Sequence, residues 1–246
     1  MIGKKIIHLD SVDSTNNYVA NMILNNQIEH GTVIMSDEQT AGKGQRGNLW
    51  FSKPGENVIT SIYLKPANLS VNQQFYLTIF TSLCVIRLLQ KKGIEAKIKW
   101  PNDIVVNSKK VSGILIENQL ISTKIEHSII GIGLNTNQKE FSDLNATSMF
   151  NETLEFNPIH HVLLSLIGEM NQLFVELENE NFEKLKSEYL ENLWLLNTIS
   201  SFTDEKGEFM GKIIGVSEIG LLQILNNNQL KEYNLKELKF NARNEF

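Results

Sequence analysis

The sequence predicts an α+β fold, in which a mixed or antiparallel sheet has helices packed on one side and a small β-rich domain follows. Segments with the alternating pattern of strands are separated by short turns rather than by regularly alternating helices. A long segment, residues 70–92, is apolar around most of its circumference, as expected of a buried helix. From about residue 193 onward, short strand-like segments are separated by Gly, Asp and Asn.

The first half of the chain contains two predicted helices and a series of predicted strands. The first helix is capped by Asp13 or Ser14, and Tyr18, Met22 and Ile23 then share one face. The long apolar helix ends with two lysines and a glycine, which favour a helix C-terminus. The strands are predicted at residues 32–39, 57–64, 94–100, 103–107, 111–118 and 125–136. A hairpin turn is expected at residues 108–110.

The second half changes character twice. Residues 137–153 are polar and irregular, and helical periodicity returns at residues 158–177 and 182–190. Short strands are then predicted at residues 197–203, 208–216, 220–226 and 230–235. This pattern suggests a small barrel over about residues 193–240, and hence two domains, residues 1–192 and 193–246.

Composition limits the classes of function. A chain of 246 residues with a net charge of −5 does not look like a general nucleic-acid binder. Cys84 is the one cysteine, which excludes an internal disulfide and a multi-cysteine metal site, and its apolar surroundings suggest a buried thiol. The five histidines lack metal-site spacing. The N-terminal residues contain no apolar stretch suited to a signal peptide or membrane span, so we expect a cytoplasmic protein.

Residues 40–55, "TAGKGQRGNLWFSKPG", contain the G-x-G-x-x-G spacing of a dinucleotide-binding turn. Such a turn must open a helix, because the pyrophosphate lies at the helix N-terminus. Pro54 and Gly55 stop any helix here, and the acidic ribose ligand expected further along the chain is missing. The spacing also lacks the Gly-Lys-Ser/Thr of a P-loop. We therefore reject both dinucleotide and P-loop assignments.

Two interpretations of this glycine-rich loop remain. It is either a solvated surface turn, or a mobile anion-binding loop in which glycine amides, Lys43 and Arg46 close over phosphate. The loop alone does not decide between them. Other segments are equally ambiguous when taken singly: "DSTN" suits a helix cap, "KWPND" a capped turn and "SKKVSG" a hairpin tip. The "GIGLN" segment places two glycines in an apolar strand, which weakens the strand unless a ligand or backbone comes close.

Taken together and in this order, the motifs resemble those of the biotin protein ligases over roughly residues 8–150. The resemblance implies a catalytic domain like that of class II aminoacyl-tRNA synthetases and lipoate ligases, followed by an SH3-like barrel. It implies a biotin–[acetyl-CoA-carboxylase] ligase that makes biotinyl-5′-AMP from biotin and MgATP and then biotinylates a lysine of a carrier domain. The motifs that carry the resemblance are "DSTNNY", "EQTAGKGQRGNLW", "KWPNDIVV", "KKVSGILIE" and "GIGLN".

The resemblance also implies the site residues. Lys110, Lys43 and Arg46 would be catalytic, because cations relieve the repulsion between the biotin carboxylate and the α-phosphate. Asp103 would hold Mg²⁺ that arrives with ATP. The implied biotin-binding residues are Ser14, Thr15, Asn16, Gln39, Lys43, Gly44, Gln45, Lys110, Gly113, Gly131 and Gly133. The implied ATP-binding residues are Lys43, Arg46, Trp50, Asn102, Asp103, Lys110 and Asn135.

One departure from the family pattern lies in the loop. Members commonly have G-R-G-R, whereas this chain has Gly42-Lys43-Gly44-Gln45, so the second cation is replaced by a neutral amide. Either Arg46 takes over part of that role, or the intermediate is held less tightly.

The resemblance suggests partners as well. The expected partner is a biotin carboxyl carrier domain, docked along a sheet edge. Because "DSTN" begins at residue 13, we expect no room for an N-terminal DNA-binding domain and therefore a monofunctional ligase. Together with the negative net charge, this predicts no specific DNA binding. We expect no membrane association, and the sequence does not decide between monomer and homodimer. Two rival functions remain: a lipoate or octanoyl ligase or transferase on the same scaffold, and a non-catalytic vitamin- or nucleotide-binding module.

Overall fold

The computed structural model describes residues 1–142 and 144–241, apart from the side chain of Arg46. The helices are α1 (Thr15–Leu24), α2 (Phe75–Gln90), α3 (Met149–Thr153), α4 (Ile159–Glu178) and α5 (Phe182–Glu191). The strands are β1 (Ile6–Val12), β2 (Val33–Gln39), β3 (Val58–Leu64), β4 (Lys97–Lys99), β5 (Asp103–Val106), β6 (Lys109–Ile121), β7 (Lys124–Leu134), β8 (Ile199–Asp204), β9 (Gly207–Val216), β10 (Leu222–Asn226), β11 (Gln229–Tyr233) and β12 (Lys239–Phe240).

The first seven strands form one mixed sheet in the order β1-β2-β3-β7-β6-β5-β4. The β1–β2 pair is parallel, and α1 is the crossover that joins the two strands. The other neighbouring pairs are antiparallel. The predicted mixed α+β architecture is confirmed. The edge strand β1 was not predicted, because "IIHLDSV" is half polar and its residues are largely exposed or half-buried.

Helices cover both faces of this sheet, so the expectation of helices on one side is wrong. Helices α2 and α4 lie on one face, within the main hydrophobic core. On the opposite face, Val19 of α1 packs against Ile34, Tyr63 and Ile129 of the sheet. The error has a physical cause: because β1 was not predicted, α1 could not be recognised as the crossover of a β-α-β unit. The face that α1 covers only in part is the one that carries the candidate site.

Helix α2 is the centre of the core, as its composition predicts. Of its 16 residues, 13 are buried. The chain leaves the helix through Gly93, whose φ of +71° suits glycine. Cys84 is fully buried in this helix, and burial raises the pKa of its thiol. The cysteine is therefore a core residue, in agreement with its apolar sequence context.

The β5–β6 hairpin turns earlier than predicted. Its two turn residues are Asn107 and Ser108, with φ values of +47° and +65°. A tight hairpin needs positive φ at both central residues, and asparagine tolerates this conformation well. Lys109 and Lys110 consequently belong to β6, and Lys110 pairs with Val105 across the ladder. The position of Lys110 is thus fixed by strand hydrogen bonds and not by a mobile hairpin tip.

The remaining strands form a second, antiparallel sheet in the order β11-β10-β9-β8-β12. Among the described residues, the outer strands β11 and β12 do not pair with each other, so the sheet is not closed into a barrel. Buried residues of this sheet, such as Phe202 and Leu222, belong to the same hydrophobic core as α2. The indole Nε1 of Trp100 donates to the carbonyl oxygen of Gly220 at 2.9 Å. The small sheet therefore supports the turn that follows Trp100.

The segment predicted to be irregular, residues 137–153, contains the short helix α3. Ser148 caps it by accepting a hydrogen bond from the Asn151 backbone N–H at 3.2 Å. Its five residues are too few for a periodic signal in the sequence. Among the described residues, no helix combines the length and apolarity needed to cross a bilayer.

Candidate functional site

A pocket lies on the α1 face of the large sheet, between the start of α1 and the glycine-rich loop. Strands β3, β7 and β6 are neighbours in the sheet and form its floor, and sequence segments far apart in the chain meet there. All eleven predicted biotin-binding residues line it: Ser14, Thr15, Asn16, Gln39, Lys43, Gly44, Gln45, Lys110, Gly113, Gly131 and Gly133. Their binding roles stay predictions, but their convergence on one pocket is a property of the fold.

The floor of the pocket consists of glycines where side chains would otherwise stand. Gly113 and Gly133 face each other across the β6–β7 ladder, and a Cβ on Gly133 would lie 2.4 Å from the Trp50 indole. A Cβ on Gly131 would lie 2.5 Å from Oδ1 of Asn16. Real Cβ atoms do not approach so closely, so these strand glycines allow Trp50 and Asn16 to lie directly against the sheet.

A chain of polar contacts forms one wall. The Thr15 backbone N–H donates to Oε1 of Gln39 at 2.8 Å. The Ser61 hydroxyl lies 2.7 Å from Oγ1 of Thr15 and 2.6 Å from Oδ1 of Asn16. The Asn16 amide nitrogen in turn donates to a carboxylate oxygen of Glu117 at 2.6 Å.

Sequence reasoning missed two members of this wall, Ser61 and Glu117. Ser61 is fully buried in β3, yet its place in an alternating strand suggested only structure. Glu117 lies near the solvent end of β6, where an acidic residue suggests solubility. The one available signal was strand alternation, which puts Gly113, Leu115 and Glu117 on the same face of β6.

The opposite end of the pocket is charged. Nζ of Lys110 lies 2.6 Å from a carboxylate oxygen of Asp103, and both side chains are partly exposed. The same Nζ lies 5.6 Å from the centroid of the Trp50 ring. Among the described residues, the Trp50 indole nitrogen is buried without a hydrogen-bond partner, so a donor inside the site is unsatisfied.

The loop cation Lys43 is tied to α1 and not to the pocket floor. Its Nζ donates to Oδ1 of Asn17 at 2.5 Å, and the Asn17 amide donates to Asp13 at 2.5 Å. The hydrogen bonds from Asn17 and from the Ser14 backbone N–H hold the pKa of the Asp13 carboxyl below its usual value. Asn17 was not predicted to take part. The side chain of Arg46, the other predicted loop cation, lies outside the described residues.

Two predicted ATP-binding amides make structural hydrogen bonds. The Asn102 amide donates to the carbonyl oxygen of Ile114 at 2.6 Å, which holds the "WPND" turn against β6. The Asn135 amide donates to the carbonyl oxygen of Thr147 at 2.9 Å. Asn135 also lines a second groove that adjoins the pocket at Trp50 and Lys110, with Leu49, Phe51, Phe141, Leu144 and neighbouring residues.

Comparison with known proteins places the chain in a family. Residues 9–135 match the Biotin/lipoate A/B protein ligase family. The Bifunctional ligase/repressor BirA of Bacillus subtilis is 30% identical over 243 residues, which cover 94% of this chain and 73% of that protein. The Biotin–[acetyl-CoA-carboxylase] ligase of Mycobacterium tuberculosis is 26% identical over 61% of this chain and 57% of its own length.

Solved structures agree with this match. The biotin protein ligase from Aquifex aeolicus, solved in complex with biotin and ATP, superposes with a TM-score of 0.80 and 28% sequence identity. The superposition covers 96% of this chain and 99% of that one. The chain therefore belongs to the biotin/lipoate A/B protein ligase family.

Proposed function

We propose that this protein is a biotin protein ligase that activates biotin with ATP and transfers it to a lysine of a biotin carboxyl carrier domain. The observation that carries the proposal is one pocket with two chemically different ends. One end offers amides and hydroxyls for a neutral donor–acceptor ring, and the other offers the Lys110 ammonium for a carboxylate. Biotin combines these two groups at opposite ends of an apolar body.

The wall at Thr15 and Gln39 suits the ureido ring. Oε1 of Gln39 is occupied by the Thr15 backbone N–H, which leaves the Gln39 amide N–H groups to donate to a ureido oxygen. Oγ1 of Thr15 offers an acceptor for a ureido N–H. Because the glycines of β6 and β7 let Trp50 and Asn16 lie close to the sheet, the bicyclic ring can bind beside these two side chains, and the valeryl chain then points toward Lys110.

The first step joins two anions. A carboxylate oxygen of biotin attacks the α-phosphorus of ATP, a new O–P bond forms, and pyrophosphate leaves with the electrons of the broken P–O bond. The nucleophile is already ionised, so no base is needed, and charge neutralisation and positioning are the main contributions. We assign Lys110, Lys43 and Arg46 to this neutralisation. In the second step the carrier lysine amine attacks the acyl carbon, and AMP leaves.

Asp103 fits a Mg²⁺ ion that arrives with ATP. Among the described residues, no group of three or more His, Cys, Asp or Glu side chains could hold a metal by itself. Mg²⁺ bound to nucleotide phosphates keeps several waters and needs one or two protein carboxylates, which the Asp103 carboxylate can supply. Bound Mg²⁺ would add positive charge at the phosphates. Lys110, paired with Asp103 in this structure, is then available to the biotin carboxylate.

The second groove suits the adenine base of ATP. It adjoins the pocket at Trp50 and Lys110, and its walls include Leu49, Phe51 and Phe141. Aromatic and aliphatic side chains bind the faces of a purine by stacking and burial. Asn135 would then contribute by holding the wall of the groove through its bond to Thr147.

The experiment that tests this function is biotin-dependent exchange of labelled pyrophosphate into ATP, run in parallel with biotin and with lipoate. We expect exchange with biotin and at most background with lipoate, because lipoate has no ureido group to meet the polar wall. Exchange with lipoate alone would assign the chain to the lipoate branch of the scaffold. Biotin binding without any exchange would make it a non-catalytic binding module.

Replacing Gln45 with arginine is expected to slow the loss of the adenylate. The substitution restores the second loop cation typical of the family, in a residue that lines the pocket, and a guanidinium can bind phosphate bidentately. We expect dissociation of biotinyl-5′-AMP to slow by about tenfold, the size of one charge-assisted hydrogen bond. The measurement is release of labelled adenylate, with Gln45→Leu as the uncharged control. Equal release rates for both variants would refute a charge effect.

The finer features of the architecture belong to the same proposal. We assign residues 1–192 to a catalytic domain of the class II aminoacyl-tRNA synthetase type and residues 193–246 to an SH3-like domain. Because the two share one hydrophobic core, removing the second is expected to destabilise the first as well as to impair transfer. The edge strand β1 is the candidate docking site for a carrier domain or a second copy, because the edge of β4 already pairs with residues 192–194. The same proposal includes a cytoplasmic location, and the net charge of −5 favours a ligase without specific DNA binding.

A further inference from the structure

We propose that Glu117 is a positioning residue that sets the direction of the hydrogen bonds with which the pocket meets the biotin ureido group. This inference rests on the proposed function, because it concerns the same pocket. Glu117 lies at the end of a row of contacts that runs through Asn16 and Ser61 to Thr15. Glu117 contacts Asn16 directly and touches none of the reacting groups.

The orientation of the Asn16 amide follows from its neighbours. Its nitrogen faces a carboxylate oxygen of Glu117 at 2.6 Å and the carbonyl oxygen of Leu115 at 3.5 Å. Both are acceptors only, so the nitrogen must be the atom that faces them. Asn16 is 3% exposed, and Gly131 lies directly beneath it. Its oxygen is therefore fixed toward Ser61, inside the protein.

The hydroxyl hydrogens are assigned next. Oδ1 of Asn16 cannot donate, so the 2.6 Å contact with Ser61 requires the Ser61 hydroxyl to donate its one hydrogen there. The Thr15 hydroxyl has two acceptors within reach, Ser61 at 2.7 Å and Oε1 of Gln39 at 3.1 Å. Because the shorter contact would be repulsive without a hydrogen, the Thr15 hydroxyl donates to Ser61. With its hydrogen committed, Oγ1 of Thr15 presents lone pairs to the pocket. Glu117 thereby makes Thr15 an acceptor for a ligand N–H.

The same arrangement explains why the wall favours a cyclic urea. An acceptor at Thr15 lies beside the donor amide of Gln39, whose oxygen is held by the Thr15 backbone N–H at 2.8 Å. A ureido group offers the complementary pair, an N–H beside a carbonyl. Without an acceptor at position 117, the Asn16 amide can rotate and Ser61 can donate to Thr15 instead. The Thr15 hydroxyl can then turn its hydrogen toward Oε1 of Gln39, 3.1 Å away, or toward the ligand. Hydrogen bonds along Asn16, Ser61 and Thr15 can then be donated in either direction, so the pocket no longer presents one fixed pattern and the binding of biotin weakens.

The test is a set of steady-state assays on the full chain. Glu117→Leu removes the acceptor at nearly constant size, and we expect the KM for biotin to rise about tenfold, which corresponds to about 1.4 kcal/mol. The KM for ATP and kcat should stay within about twofold, because neither the cationic end nor the reacting groups change. Glu117→Gln keeps an acceptor oxygen and should restore the KM for biotin to within about twofold of the wild type. Glu126→Leu, on the neighbouring strand β7, is the control for loss of an exposed carboxylate.

A double-mutant cycle separates positioning from general damage. Thr15→Val removes the hydroxyl through which Glu117 is inferred to act, so Glu117→Leu should add less than about twofold in that background. Additive effects, an unchanged KM for biotin in Glu117→Leu, or a failure of Glu117→Gln to rescue would each overturn the inference. If Glu117→Leu does not fold, Ser61→Ala interrupts the same row and is expected to give the same rise in KM. Wild-type protein without biotin-dependent exchange would instead refute the proposed function.

Discussion

Replacing Lys110 with alanine is expected to lower biotin-dependent exchange of pyrophosphate into ATP by about 10²- to 10³-fold, the usual effect of removing one group that stabilises charge in a transition state. Lys110 is the cation that the structure fixes at the charged end of the pocket, 2.6 Å from Asp103. Without it, the biotin carboxylate and the α-phosphate meet with one cation fewer between them. Repulsion between these anions then raises the barrier.

The fold should survive this change. The backbone of Lys110 makes the strand contacts, since its N–H donates to the Asn145 carbonyl at 3.0 Å and its carbonyl accepts from the Thr147 N–H at 2.9 Å. Alanine keeps both bonds. The lost ion pair is partly exposed, and such pairs contribute about 0–1 kcal/mol to stability. The melting temperature and the circular dichroism spectrum are therefore expected to change little.

Three further variants identify the cause of the loss. Lys109→Ala is the matched control, because Lys109 is the exposed neighbour of Lys110 on β6 and points to the other face. Lys110→Arg keeps the charge with a different geometry and should retain intermediate activity. The double variant Lys110→Ala with Asp103→Ala removes both charges, and because Asp103 is also the proposed Mg²⁺ ligand we expect it to be no more active than Lys110→Ala. If it recovered full exchange, the unpaired Asp103 would explain the defect and Lys110 would have no catalytic role.

The sequence predicted which residues meet in the pocket better than it predicted how they contact each other. Ser14, Gln39 and Lys110 were identified from motifs. They converge because β2, β3, β7 and β6 are consecutive in the sheet and the start of α1 lies over the same face. The motifs carry no information on strand register, however. A shift by one residue would move Glu117 to the opposite face of the sheet. The polar row that ends at Glu117 therefore required the structure.

The charged loop shows the same limit. Its composition left a solvated turn and an anion-binding loop as alternatives, and the structure places Lys43 in the lining of the pocket. Its bond to Asn17 depends on how the loop lies against α1, which glycine-rich sequences leave undetermined because glycine adopts many backbone conformations. Strand β1 was missed for a related reason: an edge strand needs little apolar surface, so its pattern is weak.

The glycines of "GIGLN", by contrast, gave a prediction that the geometry now makes quantitative. Replacing Gly131 with alanine is expected to raise the KM for biotin by about 100-fold, which corresponds to about 2.7 kcal/mol. The new methyl group would lie 2.5 Å from Oδ1 of Asn16 and 3.2 Å from the carbonyl oxygen of Leu115. The backbone of β6 cannot move without breaking its ladder, so Asn16 must yield. Its bonds to Ser61 and Glu117 are then lost together.

Overpacking of this kind also costs stability, about 1–3 kcal/mol, so binding must be separated from folding. Gly168 in α4 provides the means, because a Cβ there meets no atom within 4 Å. Gly168→Ala should stabilise the protein by about 0.5–1 kcal/mol through helix propensity and leave the KM for biotin unchanged. In the double variant Gly131→Ala with Gly168→Ala, the free energy of unfolding should recover in part while the KM for biotin stays high. Recovery of both would show that Gly131 serves packing alone, whereas a persistent binding defect would show that the position of Asn16 above Gly131 is needed to bind biotin.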